Sequence, residues 1–182
     1  EIRDMDTAKT ALQAALTGHL VLATFHASSA AAALTRIADI IGQNPLFVSA
    51  IRLVMAQRLV RRLDDTLKEA YDPSEEEWHK INEVLNSLPE GYERPNLEGL
   101  KLYRPGKSEE NPYGFQGQIA VREQFMMSDS LQKLLSNPKS YISTQSIEKA
   151  AREGGMLTML QDGMLKVIAG ETTLDELYRV IG

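Results

Sequence analysis

Two of the three histidines in this sequence lie at the ends of one apolar run, GHLVLATFHASSA. His19 precedes the residues LVLATF, and His26 follows them, just before Ser28 and Ser29, which are residue types that commonly cap a helix N-terminus. Ligands of open α/β sheets bind at the carboxyl ends of strands, and a helix N-terminus favours anions. His26 therefore has two interpretations from its position alone: a hydrogen-bonding partner of a phosphate oxygen, or a structural cap at a strand or helix end.

Other residue types in the sequence could take part in similar chemistry. Glu1 could position a metal ion or a water molecule, although one carboxylate alone does not define a site. The arginines cluster locally, which fits either an anion site or a solvated surface. They are Arg52, Arg58, Arg61 and Arg62. The sequence contains no glycine-rich phosphate loop, no nucleophile elbow and no histidine–carboxylate spacing typical of metal sites, so its pattern alone does not specify a reaction.

The composition restricts the class of protein. With 182 residues, of which 43% are hydrophobic, the chain can bury a substantial core. A net charge of −5 and a pI near 5.3 argue against the usual basic surface of a nucleic-acid-binding protein. The absence of cysteine excludes disulfides and thiolate zinc sites. Because no apolar stretch reaches the ~18 residues of a membrane span and no signal peptide is recognisable, we expect a soluble protein that is at most recruited to a membrane.

The periodicity of the first sixty residues predicts three helices. Residues 7–17 form an amphipathic helix, and residues 30–41 form another that begins after Ser28 or Ser29. A third helix begins at the Asn-Pro pair that follows and extends over residues 45–58, since proline is favoured at the first helical position.

Between the first two helices, the apolar run at residues 20–25 is typical of a strand that is buried on both faces of a parallel sheet. A helix, a buried strand and a further helix in this order predict an α/β fold with right-handed crossovers. One or two strands are too few for a stable parallel sheet, so we expect the first sixty residues to be part of a larger domain.

The middle of the chain predicts a helix over residues 72–88, capped by Asp72, and two strands over residues 100–104 and 117–125 that pair as a hairpin. The C-terminal part predicts helices over residues 129–135, 144–153, 158–169 and 174–180. Thr173 and Glu176 have the spacing of a capping box before the last helix.

Several segments resemble a known family. Residues 1–40, EIRDMDTAKTALQAALTGHLVLATFHASSAAAALTRIADI, are similar to the region from the Walker B motif through the histidine box of the secretion-superfamily ATPases, the motors of type II secretion and type IV pilus assembly. The segments AQRLVRRL, YGFQGQIAVRE and GGMLTMLQDGMLKVIAGETTLDELYRVI resemble later motifs of that family in the same order. Because several ordered motifs match at compatible spacing, the resemblance is specific and covers essentially the whole chain.

The resemblance implies site residues for ATP and Mg²⁺. Glu1 matches the Walker B glutamate, which helps to position Mg²⁺ and the water around ATP. His26 matches the second histidine of the histidine box, which is thought to sense the γ-phosphate, and His19 matches the first, which is architectural. Arg3 lies in the Walker B block and is implied to join the subunit-interface network. These roles agree with phosphoryl transfer, which needs a positioned metal, an in-line water and donors to the γ-phosphate oxygens.

The sequence departs from the family pattern in three respects. The loop G-x-x-x-x-G-K-[ST] and the acidic box with the family's catalytic glutamate lie upstream of Walker B, so we expect this chain to be the C-terminal part of a longer polypeptide and to be inactive alone. Assembly-type members carry two zinc-binding C-x-x-C pairs, and DDTLKEA and GKSEENP occupy those places, so no zinc is expected. The arginine of G-Y-x-G-R is Gln118, and the threonine after the second histidine is Ala27.

The loss of the zinc pairs raises the question of what holds this region together. We expect the helix at residues 72–88 to hold it by packing over residues 100–125. The replacement of the family arginine by Gln118 puts any charge contact of that arginine in doubt.

The resemblance also implies a fold and a domain organisation. The fold class is α/β: the C-terminal portion of a RecA-like P-loop ATPase domain, followed by a mostly helical subdomain with a small β-hairpin. Residues 1–63 are then the C-terminal half of the ATPase core, and residues 64–126 are a helix and a β-hairpin in place of the zinc-binding region. Residues 127–182 are the C-terminal helical subdomain.

The implied function is that of part of a homo-hexameric ATPase that powers type IV pilus assembly or type II protein secretion. Such a protein is cytoplasmic and peripheral at the inner face of the cytoplasmic membrane, with an inner-membrane platform protein as partner and no nucleic acid. The alternative is a non-catalytic module for assembly or docking with a decayed ATP site. The EIRD block and His26 favour the motor, whereas an upstream sequence without the phosphate-loop lysine would favour the module.

Overall fold

The computed structural model describes residues 1–42, 44–137 and 142–182. Within these residues the elements in chain order are α1 (Met5–Leu16), α2 (Ala30–Ile41), α3 (Pro45–Ala50), β1 (Leu53–Leu63), β2 (Glu69–Tyr71), α4 (Glu75–Asn86), β3 (Leu102–Arg104), β4 (Phe115–Met126), α5 (Asp129–Ser136), α6 (Thr144–Glu153), α7 (Met159–Ile168) and α8 (Leu174–Ile181). None of the helices in this described part of the chain combines the length and apolarity that a bilayer crossing requires.

The chain forms two compact units, each with its own hydrophobic core. The first unit consists of Glu1–Ala56 and Gln124–Met156, and the second of Gln57–Glu123 and Leu157–Gly182. The long strands β1 and β4, which pair with each other, each run from one unit into the other along the chain.

The core of the first unit is built mainly from helices. Leu34 of α2, Leu131 of α5 and Ile147 of α6 are fully buried in it. The hydroxyl groups of Thr35 in α2 and Thr144 in α6 lie 3.1 Å apart, which adds a polar contact beside the apolar one. The helix α2, which follows the candidate histidine, is therefore firmly anchored.

The core of the second unit lies between strands and three helices. Val60 of β1, Val121 of β4, Ile81 of α4, Met164 of α7 and Leu177 of α8 are fully buried. The strands β2 and β3 form a separate antiparallel pair, in which residues 69–71 lie opposite residues 102–104. The helix α4 thus packs in the same core as the strands that follow it.

Many predicted helices are confirmed, because their signals are local. The helix α2 has the predicted bounds, and the Ser29 side chain caps it by accepting a hydrogen bond from the Ala32 amide at 3.0 Å. Asn44 caps α3, with Pro45 at its first turn, as predicted. The helices α5, α6, α7 and α8 lie within one residue of the predicted ranges.

The predicted buried strand at residues 20–25 is wrong for this structure. These residues form neither strand nor helix, and the side chains of Leu20 and Leu22 are 88% and 89% exposed. A strand buried on both faces needs a neighbouring strand on each side, and the described residues supply one backbone hydrogen bond, from Ile2 N to Thr24 O at 2.9 Å. The predicted parallel sheet is therefore not formed by the described residues.

Three further predictions in the middle of the chain need correction. The helix expected over residues 45–58 ends at Ala50, and β1 begins at Leu53. The apolar residues in this range fit the period of a helix and that of a strand, and strand pairing decides between the two. The strand β3 pairs with β2, and β4 pairs with β1, so the predicted hairpin is absent from the described residues. The helix α4 is capped by Ser74 rather than Asp72, because Ser74 forms a reciprocal capping box with Glu77.

Candidate functional site

Three of the residues singled out from the sequence lie together in the first unit. The Glu1 carboxylate has one oxygen, Oε1, at 3.2 Å from His26 Nε2. Its other oxygen, Oε2, accepts a hydrogen bond from Arg3 Nη2 at 2.7 Å. The structure therefore places one acid, one imidazole and one guanidinium in direct contact, and we call these residues the Glu1 cluster.

Backbone contacts bring the two parts of the Glu1 cluster together. The hydrogen bond between Ile2 N and Thr24 O joins the segment of Glu1 to the segment that leads to His26. Asp4 then caps α1, since its carboxylate accepts a hydrogen bond from the Thr7 amide at 2.8 Å. The cluster therefore lies between the start of α1 and the start of α2, on residues outside both helices.

The electrostatics of the Glu1 cluster favour an ionised carboxylate. The hydrogen bond from Arg3 is the main cause that lowers the pKa of Glu1; partial burial opposes it, and the electrostatic effects of Arg3 and His26 add to it. In turn, Glu1 raises the pKa of Arg3. The His26 side chain is 88% exposed and that of Arg3 is 75% exposed, so both are open to a ligand. An acceptor and two donors of this kind suit a hydrated cation beside phosphate oxygens.

His19 lies at the other end of the segment. Its Nδ1 is 3.1 Å from the Thr17 hydroxyl, and its backbone amide donates to Ala14 O at 3.1 Å. Both contacts are with the C-terminal end of α1, so His19 contributes to the termination of that helix.

Residues for a metal ion are few in the described part of the chain. It contains no group of three or more His, Cys, Asp or Glu side chains that could hold a metal. Mg²⁺ in phosphate-transfer sites is commonly held by one or two carboxylates, with water and substrate phosphates as the other ligands. A single ionised carboxylate such as Glu1 fits that kind of site and does not fit a metal held by protein ligands alone.

Direct hydrogen bonds join the two loops that the resemblance matches to the C-x-x-C pairs of the family. Asp64 Oδ2 accepts from Asn111 Nδ2 at 3.0 Å, and Asp64 N donates to Gly114 O at 3.0 Å. Gly114 N in turn donates to Asn111 Oδ1 at 3.0 Å. We call these three residues the Asp64 clasp.

Further hydrogen bonds fix the conformation of the first loop of the clasp. Asp64 Oδ1 accepts from the amide and the hydroxyl of Thr66 at 2.9 and 2.7 Å. The bonds from Thr66, followed by the bond from Asn111, lower the pKa of Asp64 despite some burial, so its carboxylate stays an acceptor at neutral pH. The clasp joins the loops at residues 64–68 and 106–114. From the sequence, we expected the helix at residues 72–88 to hold this region together.

A charged cluster in the second unit was not predicted from the sequence. The Glu176 carboxylate is 1% exposed and accepts hydrogen bonds from Arg61 N, Nε and Nη2 at 2.8–3.0 Å. It also accepts from Arg179 Nε and Nη2 at 2.9 and 2.6 Å. The Arg61 guanidinium lies over the Phe115 ring, 4.1 Å from its centroid. These residues line a cavity of about 230 Å³ together with Tyr103 and Arg104.

This cluster corrects two interpretations from the sequence. Arg61 is neither an unpaired surface cation nor a plain anion site, because a buried carboxylate on α8 binds it. The predicted capping box before α8 is half formed: Thr173 Oγ1 accepts from Glu176 N at 3.1 Å, whereas the Glu176 carboxylate binds the arginines instead of returning to the Thr173 backbone. No local signal could have revealed the pair, because 115 positions separate its two residues.

Known proteins similar to this chain include secretion and pilus ATPases. The type II secretion system protein E of Xanthomonas campestris pv. campestris is 38% identical over 99% of this chain, and the type II secretion system ATPase E of Vibrio cholerae is 37% identical over 99%. The type IV pilus assembly ATPase PilB of Thermus thermophilus is 36% identical over 97%. The chain spans 30%, 33% and 19% of the lengths of these three relatives.

The fold has a counterpart among solved structures. The X-ray structure of the ATPase DotB of Legionella pneumophila matches 98% of this chain and 36% of its own, with a TM-score of 0.60 and 19% sequence identity. This likeness confirms the predicted α/β fold class. The family model described as type II/IV secretion system protein matches residues 1–179. The resemblance seen in the motifs is thereby confirmed, and the chain belongs to the type II/IV secretion system protein family.

Proposed function

We propose that this chain is part of an ATP-hydrolysing motor that powers type II protein secretion or type IV pilus assembly. The observation that carries the proposal is the Glu1 cluster, in which the residues matching Walker B and the histidine box lie in hydrogen-bonding contact. The similar proteins reported above, which are secretion and pilus assembly ATPases, support the same activity.

Each residue of the Glu1 cluster has a proposed role. Glu1, held as a carboxylate by Arg3, positions the hydrated Mg²⁺ and the attacking water. His26, exposed at the end of its segment, donates a hydrogen bond to a γ-phosphate oxygen. Arg3 orients Glu1 and offers its remaining donors to an adjoining subunit. These groups supply orientation and charge, which is the main protein contribution to phosphoryl transfer.

Mg²⁺ is the proposed cofactor, and Glu1 is the residue of this chain that would hold it through water. When bound, the ion neutralises charge on the transferred phosphate. The residues that hold the triphosphate itself are proposed to lie in the part of the relatives' length that this chain does not span. We therefore propose that the chain alone hydrolyses no ATP.

The proposed assembly is a homo-hexamer at the inner face of the cytoplasmic membrane, engaged with an inner-membrane platform protein. The proposed role of the second unit is that of a rigid body held by the Asp64 clasp in place of zinc.

ATP hydrolysis by the full-length protein that contains this chain tests the proposal. We expect Glu1→Gln to lower kcat by about 10²-fold or more, because the neutral amide lacks the negative charge that attracts a hydrated cation. His26→Ala is expected to lower kcat by about 10–100-fold, since one donor to the γ-phosphate is lost. Steady-state kinetics with calorimetric titration of Mg-ATP separates slower chemistry from weaker binding.

His79→Ala is the matched control, because His79 is exposed on α4 in the second unit, and we expect it to leave kcat unchanged. Full activity of both Glu1→Gln and His26→Ala would contradict the roles given to these residues. A full-length protein that lacks hydrolysis, with or without the substitutions, would instead favour the non-catalytic assembly module.

A further inference from the structure

Arg36 of α2 contacts both the histidine of the Glu1 cluster and the residue before it. Its Nη1 donates a hydrogen bond to the backbone oxygen of His26 at 3.2 Å. Its Cζ lies 5.4 Å from the centroid of the Phe25 ring, within the range of a cation–π contact. One guanidinium therefore binds the carbonyl group of one residue and covers the side chain of its neighbour.

His26 needs such a restraint, because packing does not hold its imidazole. The side chain is 88% exposed, and residues 19–26 belong to no helix or strand. The hydrogen bond from Ile2 N fixes the backbone at Thr24, two residues earlier. The direction of the imidazole therefore depends on the backbone at residues 25–26, where Arg36 binds.

Arg36 is well placed to restrain this backbone, since it stands on an ordered support. The neighbouring residues Ala33 and Leu34 are buried in the core of the first unit. The Thr35 hydroxyl donates to Ala31 O at 3.0 Å and contacts the hydroxyl of Thr144. A side chain on an anchored helix can hold a functional group to a narrower range of positions than a loop alone can.

We propose that Arg36 is a positioning residue that fixes the backbone of residues 25–26 and so directs the His26 imidazole towards Glu1 and a bound phosphate. Its effect on hydrolysis rests on the proposed function, whereas its effect on the geometry of His26 is a property of this chain. Arginine suits both contacts, because its flat face stacks on a ring while its edge donates. Lysine retains the charge and a donor but not the planar face.

The geometric part is tested by NMR on the 182-residue chain. In Arg36→Ala we expect changed shifts and broader signals for the Phe25 ring and the His26 imidazole, with the His79 signals unchanged. Arg152→Ala is the control, because it removes an exposed arginine of the same unit that contacts neither residue. If Arg36→Ala unfolds the chain, the same signals are compared in Arg36→Lys. Unchanged Phe25 and His26 signals would overturn the proposal.

The catalytic part is tested in the full-length protein by a double-mutant cycle. We expect Arg36→Ala to lower kcat by about tenfold with ATP affinity nearly unchanged, and Arg36→Lys to recover part of the loss. In a His26→Ala background, Arg36→Ala should cause no further loss, because both changes then act on the same group. If the fold losses in kcat of Arg36→Ala and His26→Ala multiply in the double variant, Arg36 acts independently of His26 and the proposal is overturned. A wild-type protein without hydrolysis would overturn the proposed function, and the NMR result would still decide the role of Arg36.

Discussion

Glu176→Gln is expected to destabilise the second unit by about 3 kcal/mol, near the lower end of the cost of breaking a buried ion pair. The Glu176 carboxylate is almost fully buried, and its two oxygens accept three hydrogen bonds from Arg61 and two from Arg179. A glutamine of the same shape has one acceptor oxygen, and its amide group would face guanidinium donors. The cost stays near the lower end because both arginine side chains remain in partial contact with water, 43% and 59% exposed.

Urea unfolding followed by the fluorescence of Trp78 measures this effect. Trp78 is the single tryptophan and lies on α4, so it reports on the second unit. Asp175→Asn is the matched control: it also removes an acidic residue from the first turn of α8, but from an exposed side chain. We expect it to cost less than about 1 kcal/mol, the usual size of a helix-dipole effect. Equal losses in the two variants would contradict the role given to the arginine contacts.

The pH dependence of stability provides a second readout of the same carboxylate. Burial raises the pKa of Glu176, but the hydrogen bonds from Arg179 and Arg61 outweigh it and lower the pKa to about 2. A carboxylate with a lowered pKa stabilises the folded state fully above its ordinary value of 4.5, and this contribution is lost as the pH falls from about 4.5 towards 2. After allowance for screening at the exposed arginines, the loss is about 2 kcal/mol. Glu176→Gln should remove this part of the acid dependence.

The fold could be predicted where its signals are local. The helices α2, α3 and α5–α8 were predicted, because their signals lie within one or two helical turns. These signals are the caps Ser29 and Asn44 and the apolar faces of α5–α8. β1 was not predicted, because its apolar run fits both helix and strand, and pairing with β4, more than fifty positions away, decides between them. The segment at residues 20–25 shows the converse: its apolar sequence is typical of a strand, but a strand forms only beside its neighbours.

In the candidate site too, some residues could be predicted from the sequence and others could not. The motifs pointed to Glu1, Arg3 and His26, and the structure places these residues in contact, while their roles in hydrolysis stay a proposal. Arg36 was not predicted, because a hydrogen bond to a backbone oxygen leaves no motif. Glu176 was assigned to a cap, since sequence spacing describes contacts along one helix and does not describe a partner on a distant strand.

The Asp64 clasp holds two loops of the second unit together through hydrogen bonds. Two C-x-x-C pairs place two turns around one ion, which supplies the attraction between them. Here the attraction comes from hydrogen bonds between Asp64, Asn111 and Gly114, and these require the two backbones to lie close together. The approach is possible because Gly106 lacks a side chain: a Cβ at Gly106 would overlap the carbonyl oxygen of Leu67 in the other loop. Gly114 allows a second close approach, within its own loop, to Pro105 and Gly106.

Gly114→Ala is therefore expected to disrupt the clasp and to cost about 3 kcal/mol of stability. Gly114 has a φ of +67°, which disfavours any residue with a side chain by about 1–2 kcal/mol. A Cβ at this position would also overlap the carbonyl oxygen of Gly106 and lie 2.7 Å from Pro105 Cβ. Because both neighbours are backbone or a rigid ring, the loop must move, and the bonds of Gly114 to Asp64 and Asn111 would lengthen or break.

Gly117→Ala separates the two causes of this loss. Gly117 has a φ of +72°, nearly that of Gly114, but a Cβ there would meet no atom within 4 Å. We expect it to cost about 1–2 kcal/mol for the backbone alone, with the amide protons of Asp64 and Gly114 still protected from exchange. Gly114→Ala should lose that protection and shift the Trp78 unfolding midpoint further. Similar midpoints and similar protection in the two variants would show that the tight packing of Gly114 against Pro105 and Gly106 contributes nothing to stability, and would contradict the role given to Gly114 in the clasp.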